Sequence, residues 1–261
     1  MVKAWWACGY SMQGYNFGDA LTPYIIEKMT GDIPMLASIR DEDPYYLVVG
    51  SIINQKWARS NAIIWGSGVI DKTQTAQKGA KFLAVRGPKT YECMIKSGHK
   101  CPKVFGDPGL ILPFIYPKVN SKKTHSLGII PHYIDYWMFK DVPEDIKVID
   151  LSKPDVERII DEICSCEFII SSSLHGVIVS QTYDVPAVWI KMSNKLSGDG
   201  IKFQDYFLSV GIKPYEFYLN VEQDGIKSIT DNLTRIKQLP SIIDNFDATE
   251  LIRSCPFQHQ E

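Results

Sequence analysis

The chain has 261 residues, 45% of them hydrophobic, enough for one large domain or two of ordinary size with packed cores. A balance of 28 basic against 30 acidic side chains leaves a formal charge of −2, which excludes a nucleic-acid binder that relies on a broad basic surface. Six cysteines without a Cys-x-x-Cys pair or a zinc-ligand spacing argue against a stapled or metal-built scaffold and read as buried, reduced thiols.

Short apolar runs alternate with helical patterns along most of the chain. "VKAWWA" reads as a first strand and "DALTPYIIEKMTG" as a helix that stops at Gly31. "YYLVVGS", "NAIIWGSG" and "AKFLAVRG" read as strands that end in glycine. "PKTYECMIKSG" follows as a helix with proline in its first turn and a glycine stop. Beyond residue 126 come the strands "HSLGIIPHY", "IKVIDLS", "EFIISSS" and "VPAVWI", with the helices "KPDVERIIDEICS" and "LHGVIVSQTYD" among them. The tail pattern "SIIDNFDATELIRS" predicts a terminal amphipathic helix. Continuous apolar strands between helices predict parallel sheets buried on both faces. The alternation pauses at residues 112–126, "LPFIYPKVNSKKTHS", where two prolines precede a polar, basic run, so a hinge is expected near 113–126. The expected fold is therefore α/β, with two Rossmann-like domains, 1–115 and 116–261, facing each other across a cleft.

The apolar run that opens the chain is too short for a signal peptide, and no stretch reaches the ~18–20 apolar residues of a membrane span. A cytoplasmic protein is expected, one that meets any membrane-bound substrate at the inner face.

Open α/β sheets bind ligands at the carboxyl ends of their strands, so the residues that follow each strand are the candidate site. These are Asn16 and Asp19, then Gly66-Ser67-Gly68, Arg86, Asp107, His132-Tyr133, the run Ser171-Ser172-Ser173-Leu174-His175, and Lys191. Each also has a plain structural reading. Asn16 and Asp19 can cap a helix, Asp107 can shape a turn, and His132-Tyr133 can be a packing pair. The glycines around Ser67 lack a dinucleotide or phosphate-loop fingerprint and mark only a close backbone approach. The serine run asks for more. One helix cap needs one hydroxyl, whereas three beside the free N–H groups of a helix start make a ready anion site with an imidazole in the first turn.

The stretches "NFGDALTPYII", "AIIWGSGVI", "FLAVRGPKT", "VFGDPGLILP", "LGIIPHY", "SSSLHGVIVSQTYDVPAVWI" and "GIKFQDYFLSVG" follow one another in this order. Together they resemble the polysaccharide pyruvyl transferase family, in particular its bacterial exopolysaccharide and capsule branch, from about Asn16 to Gly211. The resemblance implies a pair of Rossmann-like domains similar to the GT-B glycosyltransferases. It implies phosphoenolpyruvate as donor co-substrate, no further cofactor, and a sugar acceptor that can be lipid-linked. The implied product is a cyclic pyruvate ketal across two hydroxyls of one hexose, with phosphate released. The family's Leu-His motif matches Leu174-His175, and its arginine after a mid-sheet strand matches Arg86. Other branches carry arginine directly before Leu-His, where this chain has Ser173, so Lys191, Lys195 or Lys202, or hydroxyls and backbone, must replace it.

On this reading His175 is the expected acid/base, with Asp19 and Asp107 as further catalytic groups. Arg86, Ser171, Ser172, Ser173, Leu174, Lys191, Lys202, Gly66, Ser67 and Gly68 form the donor site. Asn16, Tyr15, His132 and Tyr133 form the acceptor site, and the aromatics Tyr10, Phe17, Tyr136 and Trp137 are available to grip a sugar. No metal is expected, since the histidines are isolated. Two other classes fit the same architecture: a glycosyltransferase with a nucleotide-sugar donor, and a sugar-binding protein without catalysis.

Overall fold

A computed structural model describes residues 1–7, 16–38, 40–117, 122–153, 155–243 and 246–257. Tyr10 and Tyr15 lie outside the described residues. The first strand, β1 (Lys3–Ala4), leads to α1 (Phe17–Thr30), then β2 (Met35–Leu36), β3 (Tyr45–Leu47), β4 (Ala62–Trp65), β5 (Lys81–Ala84) and α2 (Pro88–Lys96). A 3-10 turn over Pro108–Ile111 runs into the short α3 (Leu112–Ile115). The second series is β6 (Leu127–Ile130), β7 (Ile146–Val148), α4 (Val156–Cys164), β8 (Ile169–Ser171), α5 (Leu174–Thr182), β9 (Ala187–Trp189) and α6 (Ile201–Ser209). The tail adds α7 (Val221–Asp231), α8 (Leu233–Ile236) and α9 (Thr249–Arg253).

Two parallel sheets result, in the orders β2-β1-β3-β4-β5 and β7-β6-β8-β9. This is a Rossmann-like α/β architecture with one sheet from each half of the chain. In both sheets the strand order reverses beside the first strand of that half, between β1 and β3 and between β6 and β8. Such switch points open a crevice at the carboxyl ends of the strands.

Local chemistry sets the element ends. Asn16 caps α1 by accepting from Gly18 N at 3.0 Å, and Gly31, at φ 76°, closes it with an N–H to Glu27 O bond of 2.8 Å. Asp155 caps the amphipathic α4 through Arg158 N at 3.0 Å. The helix α5 is apolar nearly all round and is buried accordingly.

The largest apolar cluster joins the two halves. Leu21 and Ile25 of α1 and Trp65 of β4 share it with Val177 and Ile178 of α5 and Phe207 of α6. Each such side chain withdrawn from water contributes about 1.5–3 kcal/mol. Two further clusters cover the other faces of the sheets. The tail returns to the first sheet: the Trp65 indole N–H donates to Leu251 O at 3.0 Å, and Phe257 stands edge-on to the same ring.

The proline-rich stretch is folded rather than extended. Residues 112–115 form α3, the Tyr183 hydroxyl donates to Tyr116 O at 2.6 Å, and Thr124 N donates to Ser165 O at 2.9 Å. The terminal helix is shorter than its pattern suggested, covering only Thr249–Arg253. The described cysteines are all free thiols. No helix among the described residues is long and apolar enough to cross a membrane.

Candidate active site

Strand β8 is wholly buried and delivers its last residue, Ser171, to the carboxyl edge of the second sheet. Ser173 then takes the extended N-cap conformation, and Leu174 and His175 form the first turn of α5. Across from this turn, Asp107 precedes the 3-10 turn after β5. Its Oδ1 accepts from Gly109 N at 2.9 Å, which fixes the carboxylate and leaves Oδ2 with no hydrogen-bond partner. That oxygen lies 3.6 Å from His175 Nε2, which also lacks a hydrogen-bond partner. The Asp107 side chain is fully buried and that of His175 is 12% exposed. The two atoms face each other at ion-pair distance, and neither makes a hydrogen bond to another group among the described residues.

The third wall is the start of α1. A methyl group at Gly18 would lie 2.6 Å from His175 Cε1 and 2.8 Å from Cγ, and nearer still to Nδ1. The imidazole thus rests directly on the backbone of α1, in space that only glycine leaves open. Asp19, next along, is pushed up to about 6 by burial, while the neighbouring His175 pulls it down. A carboxyl that titrates near 6 holds or yields a proton close to neutral pH. The site therefore joins both switch points: α1 follows β1, and α5 follows β8.

Beside it, Ser172 Oγ donates to Asp135 Oδ2 at 3.1 Å and accepts from His132 N at 2.8 Å. Ser193 Oγ donates to the other Asp135 oxygen at 2.7 Å. This buried carboxylate ties together the loops after β6, β8 and β9. The His132 ring lies 4.3 Å from that of Tyr133, and its Nδ1 accepts from Ile134 N at 3.4 Å. Burial, aided by Lys202, drives His132 down to about 3, so it stays neutral and its Nε2–H is a donor. Lys202, in the first turn of α6, is itself lowered to about 8 by burial and by Arg86.

Several expected roles change. Arg86 does not project from the sheet edge. Its guanidinium is fully buried and pairs with Asp205 of α6 at 3.1 Å, with further bonds to Ser51 Oγ and Val69 O, both 2.7 Å. Without exposed surface here, Arg86 ties β5 to α6. Ser171 and Ser172 do not offer free hydroxyls either. Ser171 Oγ donates to Ile130 O at 2.8 Å, and Ser172 serves the Asp135 network. Only Ser173 keeps a hydroxyl that caps nothing.

The backbone at Gly66 and Gly68 closely approaches Pro108 and Arg86, and Ser67 is buried, donating to Val48 O. Asn16 spends its side-chain oxygen on the α1 cap, and Phe17 is core. Lys191 lies 3.7 Å from Glu216. Leu174 is buried, while Tyr136 and Trp137 are exposed.

Sequence reasoning passed over Gly18, Asp135 and Asp205. Asp205 was within reach: it sits between Phe203 and Tyr206 on the apolar face of α6, where a carboxylate needs a buried partner.

Two Rossmann-like parallel sheets, with a carboxylate set beside an imidazole near their carboxyl ends, define an α/β protein with a candidate site at that junction. The chain belongs to the polysaccharide pyruvyl transferase family, a family of transferases, whose model matches residues 16–194. The matched stretch holds Gly18, Asp19, Asp107 and His175. An uncharacterized protein of Acanthamoeba polyphaga mimivirus is 28% identical over 253 residues, covering 92% of this chain and 85% of the viral protein. No solved structure matches. The family is thereby shown, and the matching relative is viral rather than bacterial.

Proposed function

We propose that the chain moves the enolpyruvyl group of phosphoenolpyruvate onto a hexose of a surface polysaccharide, closing a cyclic pyruvate ketal and releasing phosphate. The observation that carries this reading is the pair of unmet atoms, His175 Nε2 and Asp107 Oδ2, with Asp19 at the same imidazole.

The reaction needs proton traffic in two directions. A proton goes to the methylene carbon of the donor, which becomes a methyl group and leaves C2 electrophilic. One sugar hydroxyl bonds to C2 and gives up its proton. The C2–O bond to phosphate breaks, a second hydroxyl closes the ring, and its proton leaves with the phosphate. An imidazole can both give and take a proton near neutral pH, so His175 is the group assigned to this traffic. Asp107 orients the ring and stabilises its cationic form, and Asp19 is a second proton store. The first-turn N–H groups of α5, with Ser173, face the donor's anionic end. This reading includes two Rossmann-like halves in a GT-B-like arrangement, a cytoplasmic setting and no resident cofactor. The sugar-gripping surface would be Tyr133, Tyr136 and Trp137.

The test is incubation with phosphoenolpyruvate and a panel of lipid-linked or synthetic glycosides, read by mass for pyruvyl addition and by released phosphate. Activity should fall by roughly 10²–10⁴-fold in His175→Gln, the range of a positioned acid–base group. Transfer from a nucleotide sugar, or near-normal phosphate release by the variant, would overturn the reading.

A further inference from the structure

Just ahead of His175, the chain is pinned from outside its own helix. Ser172 Oγ donates to Asp135 Oδ2 at 3.1 Å and accepts from His132 N at 2.8 Å. On the other side of the same carboxylate, Ser193 Oγ donates to Oδ1 at 2.7 Å and accepts from Lys195 N at 3.2 Å. Each hydroxyl receives a backbone N–H, so each turns its own proton onto Asp135. Two donors converge on two oxygens, which suits a carboxylate, an acceptor at both oxygens, and not an amide.

The buried carboxylates of Asp107 and Asp205 each stand beside a basic side chain. That of Asp135 is as deeply buried, yet it has no ion-pair partner among the described residues and is held by hydroxyls alone. Apolar side chains could join the same loops without removing a charge from water. What directed bonds add is a fixed geometry. The turn that carries Asp135 is itself closed, with Asp135 N donating to His132 O at 2.7 Å and Met138 N donating to Asp135 O at 3.0 Å.

The start of α5 needs such a hold. Ser171 Oγ and Ser172 N both donate to Ile130 O, at 2.8 and 3.1 Å. Bonds that meet at one carbonyl let the helix start pivot about it, and the bond from Ser172 to Asp135 supplies a second, separate anchor. The ring that this start carries has little slack, with Asp107 Oδ2 at 3.6 Å on one side and the backbone of Gly18 on another.

We propose that Asp135 is a positioning residue, which acts through Ser172 to set the start of α5 and, with it, the His175 imidazole beside Asp107. It rests on the proposed reaction for what the ring does, whereas where the ring sits can be read without any substrate.

The test is NMR on the full chain with histidine labelled in its ring nitrogens, the His175 signal being identified by its loss in His175→Gln. Asp135→Asn and Ser172→Ala should each move that signal. Ser193→Ala removes a bond to the same carboxylate at similar depth and should leave it in place. The ring of His99, which contacts Thr75 Oγ1 and Ala76 O at 3.2 Å each, should not respond to any of the three. With phosphoenolpyruvate and an acceptor, Asp135→Asn should lower kcat by roughly tenfold or more and leave KM nearly unchanged. The double variant Asp135→Asn/Ser172→Ala should be no slower than the slower single one. A His175 signal unmoved in Asp135→Asn or in Ser172→Ala overturns the proposal. So does one moved equally by Ser193→Ala, or a change that reaches His99 as strongly, because either makes the network ordinary packing. A signal that moves as expected in a protein that never turns over phosphoenolpyruvate keeps the positioning role and removes the proposed reaction. Should Asp135→Asn fail to fold, Ser172→Ala and Ser193→Ala decide alone.

Discussion

Gly18→Ala is the most informative single change. The substituted methyl would meet His175 Cε1 at 2.6 Å and Cγ at 2.8 Å, where ordinary contact begins at 3.4 Å. The helix cannot yield easily, because Phe17 and Leu21 of α1 are core and Asn16 caps it. The imidazole must therefore retreat, by about 1 Å, a displacement that costs on the order of 10²-fold in rate when it moves a reacting group. The same crowding should destabilise the fold by about 1–3 kcal/mol. Removing the ring reverses the sign. In a His175→Ala background the methyl enters empty space, and alanine in place of glycine within a helix adds about 0.5–1 kcal/mol. A double-mutant cycle by urea denaturation should thus return a coupling of about 2 kcal/mol, independent of any assumption about substrate. If the two changes are additive, or if Gly18→Ala keeps wild-type turnover, the placement of His175 against α1 is wrong.

The other predictions rest on buried charges. Arg86→Ala should destabilise by about 3–5 kcal/mol, because the Asp205 carboxylate would stay buried without its counter-charge; a variant that unfolds at unchanged denaturant concentration would restore Arg86 to the list of ligand contacts. Asp19 has a folded pKa of about 6, above its ordinary value, so the folded state holds its proton more tightly and stability declines as pH rises from about 4 to about 6. Asp19→Asn should match wild type near pH 4 and exceed it at pH 7 by up to about 3 kcal/mol; equal stabilities at pH 7 would show the carboxyl to be well solvated. His132, held down to about 3, gives the opposite slope: its contribution is complete above about pH 6.5 and is lost as the medium acidifies toward 3. His132→Gln should flatten that acid limb of the melting profile.

Much of the architecture was legible because parallel strands buried on both faces announce themselves as apolar runs. "AIIW", "KFLA", "LGII" and "AVW" became β4, β5, β6 and β9, and Gly31 ended α1 where its position in the pattern put it. Helix α6 was harder to see, since its aromatic face is interrupted by Asp205, whose partner lies 119 residues away. The site was half-legible for the same reason. His175, Asp19 and Asp107 stand at strand ends, which a sequence can mark. The partners of a hydroxyl or a guanidinium depend on what the fold brings beside it. Ser172 finds Asp135, and Arg86 finds Asp205, through contacts that no local pattern encodes. Gly18 looked like an ordinary helix residue because the ring it makes room for lies on the opposite half of the chain.

The return of the tail to the first sheet has a consequence in time. Trp65 and the carbonyl that accepts its indole proton are 186 residues apart. A ribosome adding roughly 5–20 residues per second delivers that partner some ten to forty seconds after the tryptophan emerges. Throughout that interval the first sheet is a surface that lacks its cover, and its apolar side is open to whatever else is near. The rate at which the finished molecule accumulates in a cell is then set less by its chemistry than by how long a half-covered sheet can be kept from the wrong neighbour.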